Sequence, residues 1–349
     1  MTSYEQIKRI YEKLEDKVSR DIFMKRLQYS LSGDKGYIYE MVSAEMRRYG
    51  NDDIMMCFLE WMEKKEKPTV IFGAGCAGMQ IASVLAFAGK PATGFIDNNE
   101  KLWGSEVMGL KVYSPQILKE KEEYIVAIGT NYYVQEIEKQ LSEMGIAEER
   151  IFTPQKEWWL GKDTQYFDSG IMQAHANESF IDGGALDGVD SVKFIQWCNG
   201  NYDAAYLFEP DEDNYKKLIP LRNENKKFII YKEGLWSGSG ELAFCAGNKE
   251  KCTISENGDT VIKVTSIDEK LQGKPVSFIK MDIEGSEMEA LKGAENTIGK
   301  YKPRLAICVY HKPEDIIEIP LKILELNPEY KLYLRHYSYI HTETVLYAI

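Results

Sequence analysis

The sequence predicts an α/β protein with two open sheets, an antiparallel hairpin that closes the second sheet, and a helical segment that precedes both. The first observation is that short apolar runs alternate with helical patterns from residue 67 onward. The second is that several of these runs end in acidic residues and glycine or proline, as parallel strands do around a ligand crevice. A chain of 349 residues is also too long for one ordinary core, so more than one domain is expected.

Residues 1–66 are rich in Glu, Lys, Leu and Met and are expected to form a helical segment. Apolar positions such as Ile10 and Leu14 recur at helical spacing. Breaks between helices are predicted at residues 32–36 and 50–53, where Gly and Asp are found. We expect these helices to pack on the domain that follows, and binding of a partner is the alternative.

Residues 67–153 predict a small Rossmann-like α/β domain. A strand runs into a turn in which Gly73, Gly75 and Gly78 have the spacing of the dinucleotide fingerprint. Asp97 ends a second strand about twenty residues later, as the fingerprint expects. The pattern favours a bound nucleotide, and a purely structural role for the glycines remains open.

The same stretch resembles the small Rossmann-like domains that precede sugar-modifying transferases, notably in the runs at residues 95–99 and 126–131. This resemblance implies a nucleotide or a nucleotide-linked sugar as the ligand. An NAD-dependent oxidoreductase that uses this domain is an alternative, although no catalytic partner domain for hydride transfer follows.

Residues 154–178 show neither period and are read as a connector, and residues 179–349 form the second α/β domain. The predicted strands of this domain are at 178–183, 204–210, 227–231, 278–284 and 304–310, and the helices are at 191–199, 211–223, 286–301 and 313–326. The last two apolar runs, at 330–335 and 343–349, leave no room for a crossover helix and should pair antiparallel. This outline resembles the class I S-adenosylmethionine methyltransferase sheet.

A glycine-rich turn and a carboxylate lie after the first two strands of this domain. Asp182 is followed by Gly184 and Gly188, a spacing that lets backbone approach a ligand but lacks the phosphate cradle of a dinucleotide site. Glu209 ends the second strand, where a carboxylate can accept hydrogen bonds from ribose hydroxyls. The pattern favours a nucleoside cofactor without a pyrophosphate, and glycines that serve only a tight turn are the alternative.

Several ordered blocks of the second domain resemble FkbM-type methyltransferases. The blocks are Asp182-Gly-Gly-Ala-Leu-Asp-Gly, Phe208-Glu-Pro, Thr265-Ser-Ile-Asp, Ile279-Lys-Met-Asp-Ile-Glu-Gly-Ser-Glu and Leu291-Lys-Gly-Ala. The resemblance covers about residues 180–349, and it implies O-methylation by S-adenosylmethionine of hydroxyls on sugars, polyketides or other secondary products. Leu186 departs from the asparagine that the family often has at this position.

The resemblance also implies a set of cofactor-binding residues. They are Asp182, Gly183, Gly184, Asp187, Gly188, Glu209 and Trp236. The turn would hold the methionine portion of the cofactor, and Trp236 lies where adenine commonly stacks in this fold, although a role in a core or hairpin is equally open.

Methyl transfer to a hydroxyl also needs a base near the methyl group, because the hydroxyl proton leaves as the oxygen attacks. His311 is the first choice, since an ordinary histidine pKa suits proton removal near neutrality, and capping of the next helix is the alternative. Asp282 and Glu284 are the other predicted catalytic residues, expected on one strand face where they orient the cofactor. A divalent metal held by these two carboxylates is an open but less favoured alternative, because the sequence assigns no third ligand.

The composition of the chain limits which kinds of binding partner and which cellular location are expected. A formal net charge of -12 argues against a nucleic-acid partner, which lysine and arginine clusters would bind. The sequence shows no signal peptide and no long apolar span, and its six cysteines have no metal-like spacing, so a cytoplasmic enzyme with reduced thiols is expected. The function predicted is O-methylation of a saccharide or related small molecule, and a catalytically idle nucleotide-binding module is the remaining alternative.

Overall fold

The computed structural model describes residues 4–49, 52–65, 67–130, 133–154, 164–244 and 260–349. The chain forms two compact units, each with its own main sheet. The large unit comprises Met1–Ser32, Lys162–His336 and Thr342–Ile349, and the small unit comprises Gly33–Gly161 and Tyr337–His341.

The helices and strands follow in chain order. The helices are α1 (Tyr4–Lys13), α2 (Lys17–Ser32), α3 (Gly36–Tyr49), α4 (Asp52–Lys65), α5 (Cys76–Phe87), α6 (Ile117–Glu120), α7 (Val134–Glu143), α8 (Val189–Trp197), α9 (Glu212–Glu224), α10 (Ile267–Leu271), α11 (Glu287–Lys292), α12 (Glu295–Tyr301) and α13 (Asp315–Leu326). The strands are β1 (Thr69–Phe72), β2 (Gly94–Ile96), β3 (Glu106–Val107), β4 (Leu110–Tyr113), β5 (Ile125–Ile128), β6 (Ile151–Phe152), β7 (Glu178–Gly183), β8 (Tyr202–Phe208), β9 (Phe228–Tyr231), β10 (Gly234–Leu235), β11 (Gly240–Phe244), β12 (Thr260–Thr265), β13 (Phe278–Met281), β14 (Arg304–Cys308), β15 (Leu332–His336) and β16 (Thr344–Ala348). Within the described residues, no helix has the length and apolar character needed to cross a membrane.

The small unit is built on a sheet with the strand order β3-β4-β2-β1-β5-β6. Neighbouring strands are parallel except β3 and β4, which form an antiparallel hairpin at one edge. β1 and β5 are buried along their whole length, which explains why both read as continuous apolar runs. The β3–β4 hairpin was not predicted, since a strand of two residues is too short for its side-chain period to show.

The large unit contains a seven-stranded sheet with the order β15-β16-β14-β13-β7-β8-β9. The five strands from β14 to β9 are mutually parallel, and β16 lies antiparallel between β14 and β15. The predicted terminal hairpin is therefore confirmed. A second sheet of three strands, β10-β12-β11, was not predicted.

Two predicted elements differ in the structure. The helix expected over residues 286–301 is two helices, α11 and α12. Gly293 follows α11, and a Cβ at this position would lie 2.1 Å from the backbone oxygen of Trp236, so close packing fixes a glycine where the first helix ends. β13 ends at Met281, so the two catalytic carboxylates predicted on this strand lie in the turn after it.

The predicted helical segment of residues 1–66 is divided between the two units, with α1 and α2 in the large unit and α3 and α4 in the small unit. The expectation that the whole segment packs on the next domain is therefore corrected. α1 packs against α13 and α2 against β15. β15 is an edge strand of the sheet, and helices that cover an edge protect its backbone from pairing with other chains. Of the predicted connector, residues 155–163 lie outside the described part of the chain.

Candidate active site

The candidate active site lies at the carboxyl ends of β7, β8 and β13, where the strand order of the large unit changes direction. Gly183, the last residue of β7, is in register with Phe208 on one side and Met281 on the other. Glu209 and Asp282 directly follow these two partners. The sheet therefore brings together the glycine turn and the two carboxylates that the sequence placed in one crevice.

The turn after β7 requires glycine both for its backbone conformation and for its packing, whether or not a ligand binds there. Gly184 has φ +74°, and a Cβ there would lie 2.0 Å from the backbone oxygen of Asp282. Gly188 has φ +81°, and its Cβ would lie 2.2 Å from Leu221 Cδ1. Leu186 has φ 50° and is exposed; asparagine adopts this left-handed backbone more readily than leucine, which explains why asparagine is expected here from the resemblance.

Asp182 is buried beneath this turn and is engaged by two side chains. Its Oδ1 accepts a hydrogen bond from Lys280 Nζ at 3.0 Å, and its Oδ2 accepts one from Ser191 Oγ at 2.6 Å. The same ammonium donates to the carbonyl oxygens of Gly183 and Gly184 at 3.3 and 2.9 Å. Burial disfavours the ammonium, but the nearby carboxylates, Asp182 first, outweigh it and raise the pKa of Lys280 above its usual range. Asp182 therefore fixes the turn through Lys280.

Glu209 contacts the turn directly. Its Oε2 accepts a hydrogen bond from the backbone N–H of Leu186 at 2.9 Å, and its Oε1 accepts one from Asp211 at 2.9 Å. Burial raises the pKa of Glu209 to about 7, against the lowering effect of these hydrogen bonds. Asp187 has a local role, because its Oδ1 accepts from Val189 N–H at 3.2 Å where α8 begins.

Asp282 is held from two sides by tyrosines. Tyr310 donates its hydroxyl proton to Oδ1 at 3.0 Å and Tyr166 donates to Oδ2 at 2.9 Å. Although burial raises the pKa of Asp282, His311, the charge of Lys280 and the hydrogen bond from Tyr166 lower it well below its usual range. Asp282 is therefore a fixed carboxylate rather than a proton acceptor.

His311 lies in the loop after β14 with carboxylates at both ring nitrogens. Its Nδ1 is 3.0 Å from Glu287 Oε1, and its Nε2 is 3.3 Å from Asp282 Oδ1 and 3.7 Å from Glu284 Oε2. Burial lowers the pKa of this imidazole, but Asp282 and Glu287 outweigh it and raise the pKa to about 11. His311 was predicted to remove a proton because an ordinary histidine pKa suits that role, and the raised pKa weighs against the role because it favours the charged ring near neutrality.

Glu284 is the most exposed member of this group, with a side chain 36% exposed against 24% for Asp282, 8% for His311 and 1% for Glu287. Its φ of 54° shows that a tight turn, rather than strand alternation, places Asp282 and Glu284 together. Burial raises the pKa of Glu284 to about 7.

The remaining predicted residue of the large unit is Trp236, which directly follows β10. Its side chain is partly buried and packs against Ile262 and Val264 of the three-stranded sheet. The structure thus shows a packing contact for this tryptophan, and stacking on adenine stays a prediction.

In the small unit, the predicted glycines lie at the carboxyl end of β1. A Cβ at Gly78 would lie 1.9 Å from the backbone oxygen of Gly73, and one at Gly73 would lie 2.7 Å from that of Gly129, so both glycines are needed for packing. Gly75 is exposed at the start of α5. Asp97 Oδ2 accepts a hydrogen bond from the backbone N–H of Ala74 at 2.9 Å, and this bond joins the end of β2 to the turn.

Sequence reasoning missed Lys280, Ser191, Tyr166, Tyr310 and Glu287 as residues that build the site. Lys280 had a signal, since it is the only charged residue in the buried run Phe278–Met281. Glu287 had a weaker one, as the final residue of the acidic block that carries the FkbM resemblance. The tyrosines and Ser191 had none, because only the folded chain brings them to Asp282 and Asp182.

The strand order of the large unit and its crevice at the change of direction define the class I methyltransferase fold. A crystal structure of methyltransferase FkbM from Methylobacillus flagellatus KT has a TM-score of 0.51 and 19% identity to this chain, and it covers 90% of this chain and 100% of that one. Residues 182–340 match the model of the methyltransferase FkbM domain, and the chain carries this domain. Residues 65–152 match a second model, that of the C2185-like N-terminal domain.

Two further proteins are similar to this chain. Hexuronic acid methyltransferase AglP from Haloferax volcanii is 31% identical over 102 residues, which are 27% of this chain and 42% of that protein. The chain thus spans less than half the length of this relative. Fibrillarin from Aeropyrum pernix, solved with S-adenosylmethionine, has a TM-score of 0.34 at 9% identity and covers 50% of this chain and 67% of that one.

Proposed function

We propose that the large unit binds S-adenosylmethionine and transfers its methyl group to a hydroxyl of a saccharide or a related metabolite. The observation that carries this proposal is the contact between the glycine turn and Glu209, in which Leu186 N–H donates to Oε2 at 2.9 Å. This contact links the backbone of the glycine turn to a buried carboxylate. It lies where the strand order changes direction, and open α/β sheets bind their ligands at that point. The match to the methyltransferase FkbM domain supports the same function.

The cofactor would be held by complementary polar groups. Glu209 uses one lone pair of each oxygen for backbone hydrogen bonds, so each oxygen can still accept a ribose hydroxyl. The backbone of Gly183 and Gly184 can approach the methionine portion closely, because neither residue has a side chain. Trp236 remains the candidate for the adenine ring.

The reaction is an in-line displacement. The acceptor oxygen forms a bond to the methyl carbon while the carbon–sulfur bond breaks, and the sulfur keeps the electron pair, which leaves S-adenosylhomocysteine. The enzyme must align the three atoms and provide a group that takes the hydroxyl proton.

The proton acceptor that we propose is Glu284 rather than His311. Carboxylates at 3.0 and 3.3 Å from its two nitrogens keep the ring of His311 protonated when no cation is bound, so the ring has no lone pair for the hydroxyl proton. Glu284 is the most exposed carboxylate of the group and can reach an acceptor in the crevice. Asp282 and His311 then position Glu284, and Glu284→Gln should lower kcat more than it changes the affinity for the cofactor.

A saccharide acceptor is favoured by the partial likeness to a hexuronic acid methyltransferase. The direct test is formation of S-adenosylhomocysteine by the purified protein with uronic acids, neutral sugars and nucleotide sugars, followed by mass spectrometry for a gain of one methyl group. Glu209→Gln should abolish product formation, and Glu224→Gln, an exposed change in α9 of the same unit, is the matched control.

Thermal shift separates the alternatives, because a ligand that binds only the folded protein raises its Tm. S-adenosylmethionine should stabilise the protein and NAD should not. Stabilisation by NAD alone would favour the oxidoreductase, and cofactor binding with no turnover of any acceptor would favour an idle binding module.

We propose a nucleotide or nucleotide-linked sugar as the ligand of the small unit, supported by the exposed Gly75 at the start of α5 and by the contact of Asp97 with the same turn. Gly75→Ala should weaken binding of a nucleotide sugar in calorimetry and leave binding of S-adenosylmethionine unchanged. If the unchanged chain binds no nucleotide sugar, the small unit is a scaffold.

A further inference from the structure

We propose that Asp282, Glu287 and His311 form a binding site for one divalent transition-metal cation, here called the cation site. The site itself follows from the geometry of these three side chains. Its role in catalysis rests on the proposed methyl transfer, because Asp282 follows β13 at the edge of the same crevice.

The ligand atoms are already close. One oxygen from each carboxylate and one imidazole nitrogen lie within 4.8 Å of one another. Ligands bound at about 2.0–2.2 Å from a common ion are roughly 3–4 Å apart. Because the two carboxylates lie at different ring nitrogens of His311, one side chain must also turn toward the common cation as the three atoms move closer.

Buried atoms without hydrogen bonds are an independent sign of a missing partner. Among the described residues, neither ring nitrogen of His311 makes an aligned hydrogen bond, although carboxylate oxygens lie 3.0 and 3.3 Å away. Glu287 is buried, and its Oε2 also has no partner within the described chain. Buried polar groups left unsatisfied are costly, and a cation that replaces the proton on one ring nitrogen of His311 would satisfy that nitrogen together with one oxygen of Glu287.

The surrounding hydrogen bonds orient the ligands, as they do in built metal sites. Tyr310 and Tyr166 each donate to one oxygen of Asp282, at 3.0 and 2.9 Å. Glu287 Oε1 accepts from the backbone N–H of Ile283 at 2.9 Å, which ties this carboxylate to the turn that carries Asp282. The remaining positions on the cation would be open to water or to the acceptor hydroxyl.

The ligand set selects the class of cation. Two carboxylates and one imidazole suit Mn²⁺ and its neighbours in the first transition row better than Ca²⁺, which prefers an all-oxygen shell. Two negative charges also balance a dication. Bound next to an acceptor hydroxyl, the ion would lower the pKa of that hydroxyl and favour its attack on the methyl carbon.

The test uses the full-length protein, treated with EDTA and dialysed, and Mn²⁺ as the probe in titration calorimetry. One Mn²⁺ per chain is expected. Glu287→Gln should weaken binding by at least about tenfold. Glu289→Gln is the matched control, because Glu289 lies on the same helix and pairs with Lys292 at 2.5 Å, outside the cation site.

If Glu287→Gln does not fold, the same site can be tested by a measurement on the unchanged protein. Pulsed electron paramagnetic resonance of bound Mn²⁺ should show the nitrogen of one imidazole. No stoichiometric Mn²⁺ binding, no nitrogen coupling, or equal affinity in the Glu287→Gln and Glu289→Gln variants overturns the proposal. Binding of S-adenosylmethionine, measured separately, shows whether the proposed function fails with it or stands alone.

Discussion

Lys280 is the residue on which the position of the glycine turn depends. Its ammonium bonds the buried Asp182 and two carbonyl oxygens of the turn, so one charge holds a side chain and the backbone together. A buried ion pair is weak evidence for stability, yet removal of one partner leaves the other charge uncompensated. The pair therefore acts on the shape of the crevice more than on the net free energy of folding.

Replacing Lys280 by methionine should destabilise the protein, because Asp182 would stay buried without its cation. We expect a loss of about 3–5 kcal/mol in the free energy of unfolding, measured by urea denaturation. The double variant Asp182→Asn/Lys280→Met should recover part of this loss, since an amide at this position can still accept from Ser191. Equal stability of the single and double variants would show that the pair is not the cause.

The burial of Glu209 should lower the stability of the folded protein near neutral pH, although the same carboxylate is proposed to bind the cofactor. Its pKa is raised from 4.5 to about 7 by burial, so the folded protein binds the proton more tightly than the unfolded chain does. Stability should therefore fall as the pH rises from about 4.5 to about 7. Glu209→Gln removes this cost and should raise the free energy of unfolding at pH 8 by about 1–3 kcal/mol without ligand, while it weakens binding of S-adenosylmethionine.

The measurement is urea denaturation of both proteins at pH 5 and pH 8, together with calorimetry for the cofactor. The stability difference should be larger at pH 8 than at pH 5. A variant that is less stable at both values would contradict this account of the carboxylate.

At the scale of the elements, the sequence predicted most strands of both sheets, because buried parallel strands read as apolar runs that end in glycine or acidic residues. It also predicted that Asp182 and Glu209 share a crevice, since both end neighbouring strands. It did not predict the break at Gly293, which depends on the backbone of Trp236. Nor did it predict the state of His311, whose charge depends on carboxylates that only the fold brings to it.

Two glycine-to-alanine substitutions, one in the glycine turn and one outside it, should differ in their effect on stability and on cofactor binding. Gly184→Ala places a Cβ 2.0 Å from the Asp282 backbone oxygen at φ +74°, whereas Gly200→Ala has φ +72° and nothing within 4 Å. Gly200→Ala should therefore cost only the backbone strain of about 1 kcal/mol. Gly184→Ala should cost more in stability and also prevent binding of S-adenosylmethionine.

Chemical denaturation and calorimetry on the two variants check this expectation. Equal stability of the two variants would mean that the turn relaxes freely. Unchanged cofactor affinity in a folded Gly184→Ala protein would place the cofactor elsewhere.

At the scale of the whole molecule, the large unit is assembled from both ends of the chain. Ser19 and Asp16, at the start of α2, bond Leu334 and Arg335 of β15, more than 300 residues later, as in the 2.9 Å bond from Leu334 N–H to Ser19 Oγ. This pairing was not predicted, because the helical period of residues 1–32 shows an apolar face but not the surface that the face covers. The contact orders an edge strand that otherwise has one free side.

Asp16→Asn should show what this closure contributes. Arg335 is 4% exposed and binds both oxygens of Asp16, at 2.6 and 3.3 Å, so the change leaves a buried guanidinium with a weaker partner. We expect a loss of about 1–3 kcal/mol in the free energy of unfolding, reduced by solvent screening because Asp16 itself is partly exposed. Asp21→Asn, an exposed change on the same helix, should stay within about 0.5 kcal/mol.

The pH dependence of the Asp16 contribution has a definite sign. Burial raises the pKa of Asp16, but the hydrogen bonds from Arg335 and Ser19 outweigh it and hold the pKa below its ordinary value of 3.8. The stabilisation is therefore complete above pH 3.8 and is lost as the pH falls through the lowered pKa of the folded protein. Urea denaturation should give a difference between the unchanged protein and Asp16→Asn that is full at neutral pH and smaller in acid, because protonation of Asp16 removes the same charge as the substitution. A difference that is absent at neutral pH would show that α2 holds β15 by apolar packing alone.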